Sequence, residues 1–290
     1  FSPCGRGGRW LRRGARQRHL RVMARVSFPE EGVALVELDR PEALNALTLE
    51  GLSALAGAFA GLRRRDAAGQ RVGAAVLTGR GRAFCAGIDL TAAEAVFKSD
   101  PDGPEAQKRD VVREMELCEF PIIGAINGAA VTAGFEIALA CDILLASEGA
   151  FFQDTHCRYG IMPSWGLSQK LPRLIGAGRA RAVSFACLKV GAAEAERWGL
   201  VLRAVPEGEG LLEAALGLAR RVAGHDGAVV RGYKDVIRRG LQTDLAAGRV
   251  LERESAHTYY RDVMDGPKFS EIQPRFRGQF RRSGRSRAKL

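Results

Sequence analysis

PIIGAINGAAVTAGFEIALACDILLAS (residues 121–147) contains the transition that decides the fold. Ile122 to Ile126 is a short apolar run rich in β-branched residues, which predicts a strand, and DILLA (142–146) predicts a second. Between them lies a block of small residues, NGAAVTAG (127–134), and then an apolar stretch of helical character. Thr132 suits an N-cap, with helix expected from Ala133 through Ala140. The amides of Ala133 and Gly134 would then be unpaired donors at the positive end of a helix dipole, an arrangement that favours an anion.

Working outward, VALVEL (33–38), VGAAVLT (72–78) and VLRAV (201–205) also read as strands. Leu49, Leu52, Leu55, Phe59 and Leu62 recur at helical spacing between the first two, giving one apolar face to set on a sheet. Strands alternating with amphipathic helices indicate an α/β fold. After about residue 166 the strands thin out, and helices are expected over 177–187, 192–199, 211–223, 227–240 and 242–264. A strand-rich core is therefore expected over 30–200 and a helical C-terminal region over 201–265. SDPDGPEAQKRD (99–110) is the best candidate for a mobile loop.

GRGRAFCAGIDL (79–90) is a second segment where small residues, Ala86 and Gly87, follow a strand. Small side chains permit close backbone approach by a ligand, and amides from the two segments together would make an oxyanion hole. They equally permit close packing of helix on strand, and spacing alone leaves both readings open.

Of 290 residues, 46% are hydrophobic and 27% charged, ordinary for a globular chain, and no run of eighteen apolar residues occurs. The net charge of +11 raises the possibility of nucleic-acid binding. Residues 1–29 hold eight arginines and no acid, and residues 281–290 hold Arg281, Arg282, Arg285, Arg287 and Lys289. These two ends exceed the whole net charge, so the body between them is close to neutral, which argues against a basic groove in the fold. Residues 1–29 are expected to be a disordered or targeting extension, with a transit peptide as one reading and a segment upstream of a start at Met23 as another. The tail over 266–290 ends in Ala288-Lys289-Leu290, which differs from the peroxisomal tripeptide S-K-L by one small residue. The six cysteines show no C-x-x-C spacing and the four histidines no ligand spacing, so neither a disulfide framework nor a metal is expected.

Two polar positions stand out. A capping box would place a carboxylate at 135, but that residue is Phe135, and the acid follows at Glu136. A carboxylate leading into Ile137-Ala138-Leu139-Ala140 is expected to be partly buried, with a raised pKa suited to proton transfer. FQDTHCRYG (152–160) sets Asp154, Thr155 and His156 in succession. His156 is either an acid–base group near neutral pH, with Asp154 orienting it, or a histidine hydrogen-bonded within its loop. A Cys157–His156 nucleophile is disfavoured because neighbours on an extended chain point to opposite faces.

LDRPEALNALT (38–48), GRAFCAGIDL (81–90), residues 121–147 and YGIMPSWGLSQKLPRLIG (159–176) together resemble the crotonase superfamily of enoyl-CoA hydratases and isomerases. VTAGFE, DTH and PSWGLSQKL, with the C-terminal tripeptide, are most similar to the plant monofunctional peroxisomal enoyl-CoA hydratases. The resemblance implies a spiral of ββα repeats and a helical C-terminal region that builds trimers or hexamers. It also implies an acyl-CoA thioester substrate, no cofactor beyond the CoA of that substrate, and hydration of a 2-enoyl-CoA in fatty-acid β-oxidation. On the same ground the oxyanion donors are the amides of Ile88 and Ala133, Ala133 standing where many relatives have glycine. Glu136 matches the first catalytic glutamate, and His156 occupies the place of the second. Ala43 and Leu44 would line the CoA pocket, and Ala86, Gly87, Asp89 and Gly134 would lie against the substrate. Double-bond isomerisation by Glu136 alone is the alternative activity, and RNA binding, known for some relatives, the alternative of another class. Localisation to the peroxisome through an import receptor is expected from Ala288, Lys289 and Leu290, with a mitochondrion or chloroplast if the N-terminus is a transit peptide.

Overall fold

The computed structural model describes residues 23–264 apart from 99, 101, 207 and 208. The Arg-rich stretch over 1–22 and the tail over 266–290, with Ala288, Lys289 and Leu290, lie outside the described residues. The chain enters through β1 (Ala24–Glu30), which pairs antiparallel with β2 (Val33–Leu38). The extension expected over 1–29 is therefore too long. Arg25 had been grouped with the arginines before it, yet its strand registers residue by residue against β2.

Three successive passes of the chain then repeat one plan. β3 (Ala74–Gly79) is followed by β4 (Ala83–Cys85), β5 (Ile122–Ile126) by β6 (Ala129–Val131), and β7 (Ile143–Ser147) by β8 (Phe151–Gln153). The first strand of each pass joins a six-stranded sheet and the second a four-stranded one. The small sheet is closed by β9 (Lys189–Gly191), antiparallel to β8, and the large one by β10 (Arg203–Val205), giving the orders β1-β2-β3-β5-β7-β10 and β4-β6-β8-β9. This is the ββα spiral, with β2, β3, β5, β7 and β10 parallel. The second strands are three residues long, too short to show a period of two, which is why the sequence revealed only the first of each pair.

β2, β3, β5 and β7 of the large sheet are nearly continuous apolar runs because both faces are covered. Alternation divides them between two cores: Ala34, Val36 and Leu38 face one, Val33 and Leu35 the other, and β3, β5 and β7 divide likewise. α1 (Leu49–Ala67), capped by Thr48 accepting from the Gly51 amide at 3.1 Å, presents Leu52, Leu55, Phe59 and Leu62 to the first core. Full burial of a side chain such as Phe59 contributes about 2–3 kcal/mol.

α2 (Leu90–Phe97), α3 (Pro104–Gln107), α4 (Val111–Glu116), α5 (Ala133–Leu139), α6 (His156–Tyr159), α7 (Leu167–Ile175), α8 (Ala177–Phe185) and α9 (Ala192–Trp198) follow along the spiral. α3 falls within the stretch expected to be a mobile loop. Pro104 is pre-set for the first turn of a helix and Glu105 pairs with Lys108 at 2.8 Å, so that part of the stretch is helical.

The second core is closed by α10 (Leu211–Ala223), whose Ala215 and Ala219 are wholly buried against it. The boundary expected at residue 200 therefore moves. β10 and α10 complete the sheet and its cover, and the helical extension begins with α11 (Gly227–Gly240) and α12 (Leu245–Met264). α11 has no buried residue; Lys234 holds it to the Phe120 carbonyl at 3.0 Å and Asp142 at 2.7 Å.

Candidate active site

The site forms where β4 and β6 end. Beyond β4 the chain reverses through Ala86, Gly87 and Ile88, and this turn is held from below by Leu44 and Asn45, both in the left-handed region at φ 53° and 56°. The Leu44 carbonyl accepts from the Ala86 amide at 3.0 Å, while buried Asn45 donates its side-chain amide to the carbonyls of Ala83 at 2.8 Å and Arg80 at 3.0 Å. Leu44 thus supports the turn directly, while Ala43, half-buried like it, closes a 3-10 turn at Pro41–Ala43. Sequence reasoning missed Asn45; the signal was an asparagine, tolerant of left-handed backbone, within LNAL.

Leu47 clamps the turn from the same side, donating to the Gly87 carbonyl at 2.8 Å and accepting from the Asp89 amide at 2.9 Å. In this bridge the bonds flank Ile88, so the Ile88 amide points away from Leu47. Gly87 has φ +99°, and a Cβ there would lie 3.0 Å from the Val131 carbonyl and 3.7 Å from the Ala133 nitrogen. The two backbone segments that carry the expected oxyanion donors are therefore in contact. Among the described residues neither the Ile88 nor the Ala133 amide has an acceptor.

Gly134 explains how α5 comes so close. A Cβ at this position would sit 2.1 Å from the Cys85 carbonyl, so only glycine lets the helix start lie on β4. Gly134 thus serves helix–strand packing, and that packing sets the start of α5, with Ala133, against the end of β4. Thr132 occupies the cap position without capping: its φ is 51°, it makes no side-chain cap bond, and its hydroxyl pairs with that of Thr155. A β-branched residue in this region is strained, and the Thr132 amide bonded to the Gln153 carbonyl at 2.9 Å helps to hold it.

Asp89 faces away from this contact. Its carboxylate caps α2 through the Thr91 amide and hydroxyl and pairs with Arg40, which also donates to the Ala46 carbonyl at 3.0 Å. The Thr91 hydroxyl, the Arg40 guanidinium and the Thr91 amide hold its pKa down at about 2. It fixes the far end of the turn that carries Ile88.

Glu136 lies in the first turn of α5 with only 2% of its surface exposed. Burial pushes its pKa up, opposed by the Trp165 amide and by the charge of His156. One carboxylate oxygen accepts from the Trp165 amide at 2.8 Å; the other stands 3.8 Å from His156 Nε2. Trp165 is not legible as a site residue in the sequence, because it acts through its backbone amide.

His156 opens α6 and is buried, whereas Cys157 is exposed, which leaves a paired thiol nucleophile without support. Asp154 Oδ1 accepts from both the His156 backbone amide, at 3.0 Å, and ring Nδ1, at 2.6 Å. Burial raises the Asp154 pKa, but the His156 ring, the His156 amide and the Ser184 hydroxyl outweigh it and hold the carboxyl below its ordinary range. The Asp154–His156 bond belongs to both readings of FQDTHCRYG, since it orients the imidazole and is also a hydrogen bond within the loop. Among the described residues no group of three or more His, Cys, Asp or Glu is arranged to hold a metal, and no helix is long and apolar enough to cross a membrane.

The family model described as enoyl-CoA hydratase/isomerase matches residues 29–272. The chain is 47% identical over 242 residues to an Arabidopsis thaliana protein named "Probable enoyl-CoA hydratase 1, peroxisomal", covering 83% of this chain and 88% of that one. Among solved structures it is similar to an enoyl-CoA hydratase from Bacillus anthracis, with a TM-score of 0.75, 31% identity and coverage of 89% and 96% of the two chains. It is also similar to a monofunctional enoyl-CoA isomerase from Mycobacterium smegmatis, with a TM-score of 0.66, 31% identity and coverage of 79% and 98%.

Proposed function

The chain belongs to the enoyl-CoA hydratase/isomerase family, and from that premise we propose that it adds water across the double bond of a 2-enoyl-CoA. The observation that carries this reading is the convergence of two kinds of group. The segments that carry the Ile88 and Ala133 amides are in contact at Gly87, neither amide has an acceptor among the described residues, and the buried Glu136 and His156 stand 3.8 Å apart.

The thioester oxygen would be held between the two amides. As water attacks the β-carbon, the π electrons move onto that oxygen, and the enolate is stabilised where preorganised donors count most. The enolate then returns its charge to the α-carbon, which takes a proton. Glu136 and His156 supply both proton steps: one accepts from water, the other gives to carbon. Ala86 and Gly87 offer backbone where larger side chains would block the acyl group, Gly134 keeps the start of α5 against β4, and the surface of Ala43 and Leu44 would meet the CoA. No step requires a group beyond the substrate's own CoA.

Isomerisation is the second reading. The carboxylate of Asp154 is engaged by His156, which leaves Glu136, with Oε2 turned to the imidazole, as the carboxylate able to move a proton between α- and γ-carbons. Full-length protein mixed with crotonyl-CoA tests the first reading: loss of the conjugated thioester absorbance is expected. No loss, together with formation of conjugated product from a 3-enoyl-CoA, would replace it by the second.

The named plant relative and the tripeptide Ala288-Lys289-Leu290 support a peroxisomal location through an import receptor. Exposed Tyr233, Ile237, Leu241 and Leu245 on or beside α11 and α12 support assembly of a homotrimer or hexamer through this region.

A further inference from the structure

The side chain behind His156 is one that the hydratase reading does not use. Asp154 is 1% exposed and its carboxyl lies two residues before the imidazole it touches. One oxygen, Oδ1, receives the His156 backbone N–H at 3.0 Å and ring Nδ1 at 2.6 Å. The backbone bond closes an Asx turn, so the chain itself sets the carboxylate, and the carboxylate in turn sets the ring.

An ionised carboxylate can only accept. Nδ1 must then carry hydrogen whether the imidazole is neutral or protonated, and in the neutral ring Nε2 is left as the lone pair. Rotating the ring would set a C–H against Oδ1 and forfeit this bond where both side chains are buried. Nε2 is the atom that faces Glu136, and it does so from 3.8 Å, beyond a direct hydrogen bond.

Glu136 is the opposite case. Its Oε1 takes the Trp165 amide, and Oε2 is turned to the imidazole. Glu136, His156 and Asp154 form one proton-sharing group, whose net charge is the same whether the shared proton rests on Oε2 of Glu136 or on Nε2 of the ring. A neutral, protonated Glu136 beside a neutral His156 leaves one negative charge, on Asp154, where two N–H donors solvate it.

From this geometry, and resting on the hydratase reading, we propose that Asp154 is a positioning residue that sets the direction of proton flow. It holds His156 as the Nδ1–H tautomer, so that Nε2 is the base toward water and Glu136 the acid toward carbon. The step balances. Water gives its proton to Nε2 as its oxygen bonds to the β-carbon, and the π pair moves to the thioester oxygen. Protonated Glu136 then delivers its proton to the α-carbon as the enolate collapses. The site ends as imidazolium and carboxylate, facing each other, and return of the proton from Nε2 to Oε2 restores the starting form. Asp154 stabilises the imidazolium between these events, as a buried acid behind a histidine base does elsewhere.

The test combines nitrogen NMR with a mutant cycle on the full chain. In histidine-15N-labelled protein, with His156→Gln used for assignment, the neutral His156 ring should show a protonated Nδ1 and an unprotonated Nε2. Asp154→Ala should abolish that preference and lower kcat for crotonyl-CoA by about 10²-fold or more, with KM changed less than about threefold. Added to His156→Gln, Asp154→Ala should cost nothing further, since it acts only through the ring. A hydrating wild-type enzyme whose His156 carries its proton on Nε2 overturns the inference with no variant needed. So does an Asp154→Ala loss that adds in full to that of His156→Gln. Failure of the underlying reading is seen separately, as wild-type protein that does not hydrate crotonyl-CoA at all.

Discussion

The two sides of the site are made of different material. The side that would hold the thioester oxygen is backbone: the Ile88 and Ala133 amides, on segments that pack at Gly87 and Gly134 and are held by the clamp of Leu47. The side that would move protons is side chain: Glu136, His156 and Asp154, each nearly or wholly buried. The first can be damaged only by adding atoms, because its donors belong to the chain itself. The second is damaged by altering one atom of a carboxyl or a ring. Thr132 and Thr155 join the two sides, since their paired hydroxyls precede Ala133 and His156 respectively.

The sharpest way to break this contrast is Glu136→Gln. It preserves shape and the acceptor to the Trp165 amide but removes the exchangeable carboxyl proton. A loss of about 10²–10⁴-fold in kcat is expected, the usual range for a positioned acid or base, with the protein still folded. Thermal melting alongside crotonyl-CoA kinetics measures both. A variant that loses activity only because it has lost its fold would place Glu136 with the packing instead.

Gly134→Ala attacks the other side and should fail differently. The new Cβ meets backbone, the Cys85 carbonyl at 2.1 Å, which no rotamer change can relieve. Overpacking of this kind costs about 1–3 kcal/mol, and the helix start must move away from β4. Melting temperature and activity should fall together, with binding of an acyl-CoA weakened as well, because the Ala133 amide moves with the helix. An active Gly134→Ala enzyme of unchanged stability would mean that α5 can shift without disturbing the donors.

Sequence legibility follows the same division. The large-sheet strands β2 and β5 and the helical face of α1 were visible because long apolar elements carry their own period. Glu136 was visible as an acid leading into an apolar run, and Asp154 and His156 as neighbours in one polar segment. What the sequence concealed is what depends on backbone from a distant part of the chain. The carbonyl of Leu44, the left-handed Asn45 and the amide of Trp165 leave no compositional trace, and three-residue strands such as β4 and β8 have no measurable period. Arg25 misled for the opposite reason, its charge assigning β1 to the basic extension. Thr132 was correctly located at the helix start but for the wrong bond: its hydroxyl turns to Thr155 and leaves the helix amides open.

The smallest effect is expected at the hinge between the two kinds of construction. Asp89 is a side chain whose work is to hold backbone, capping α2 and pairing with Arg40 just beyond Ile88. Bonds from Thr91 and Arg40 hold its pKa near 2, below the ordinary value of 3.8. A depressed carboxyl contributes stability that is complete above its unfolded value and is lost as pH falls through the folded one, so this contribution should disappear between about pH 4 and pH 2. Glu136 has the opposite sign: with its pKa raised, ionisation opposes folding as pH rises above the ordinary carboxyl range. Asp89→Asn should therefore lower stability modestly at neutral pH and flatten the acid limb of a denaturation-midpoint profile, with activity at neutral pH reduced only a few-fold. If Asp89→Asn instead abolished hydration while its melting profile stayed that of the wild type, the carboxylate would have to be acting on the substrate, and the division between a backbone side and a side-chain side would not hold at Ile88.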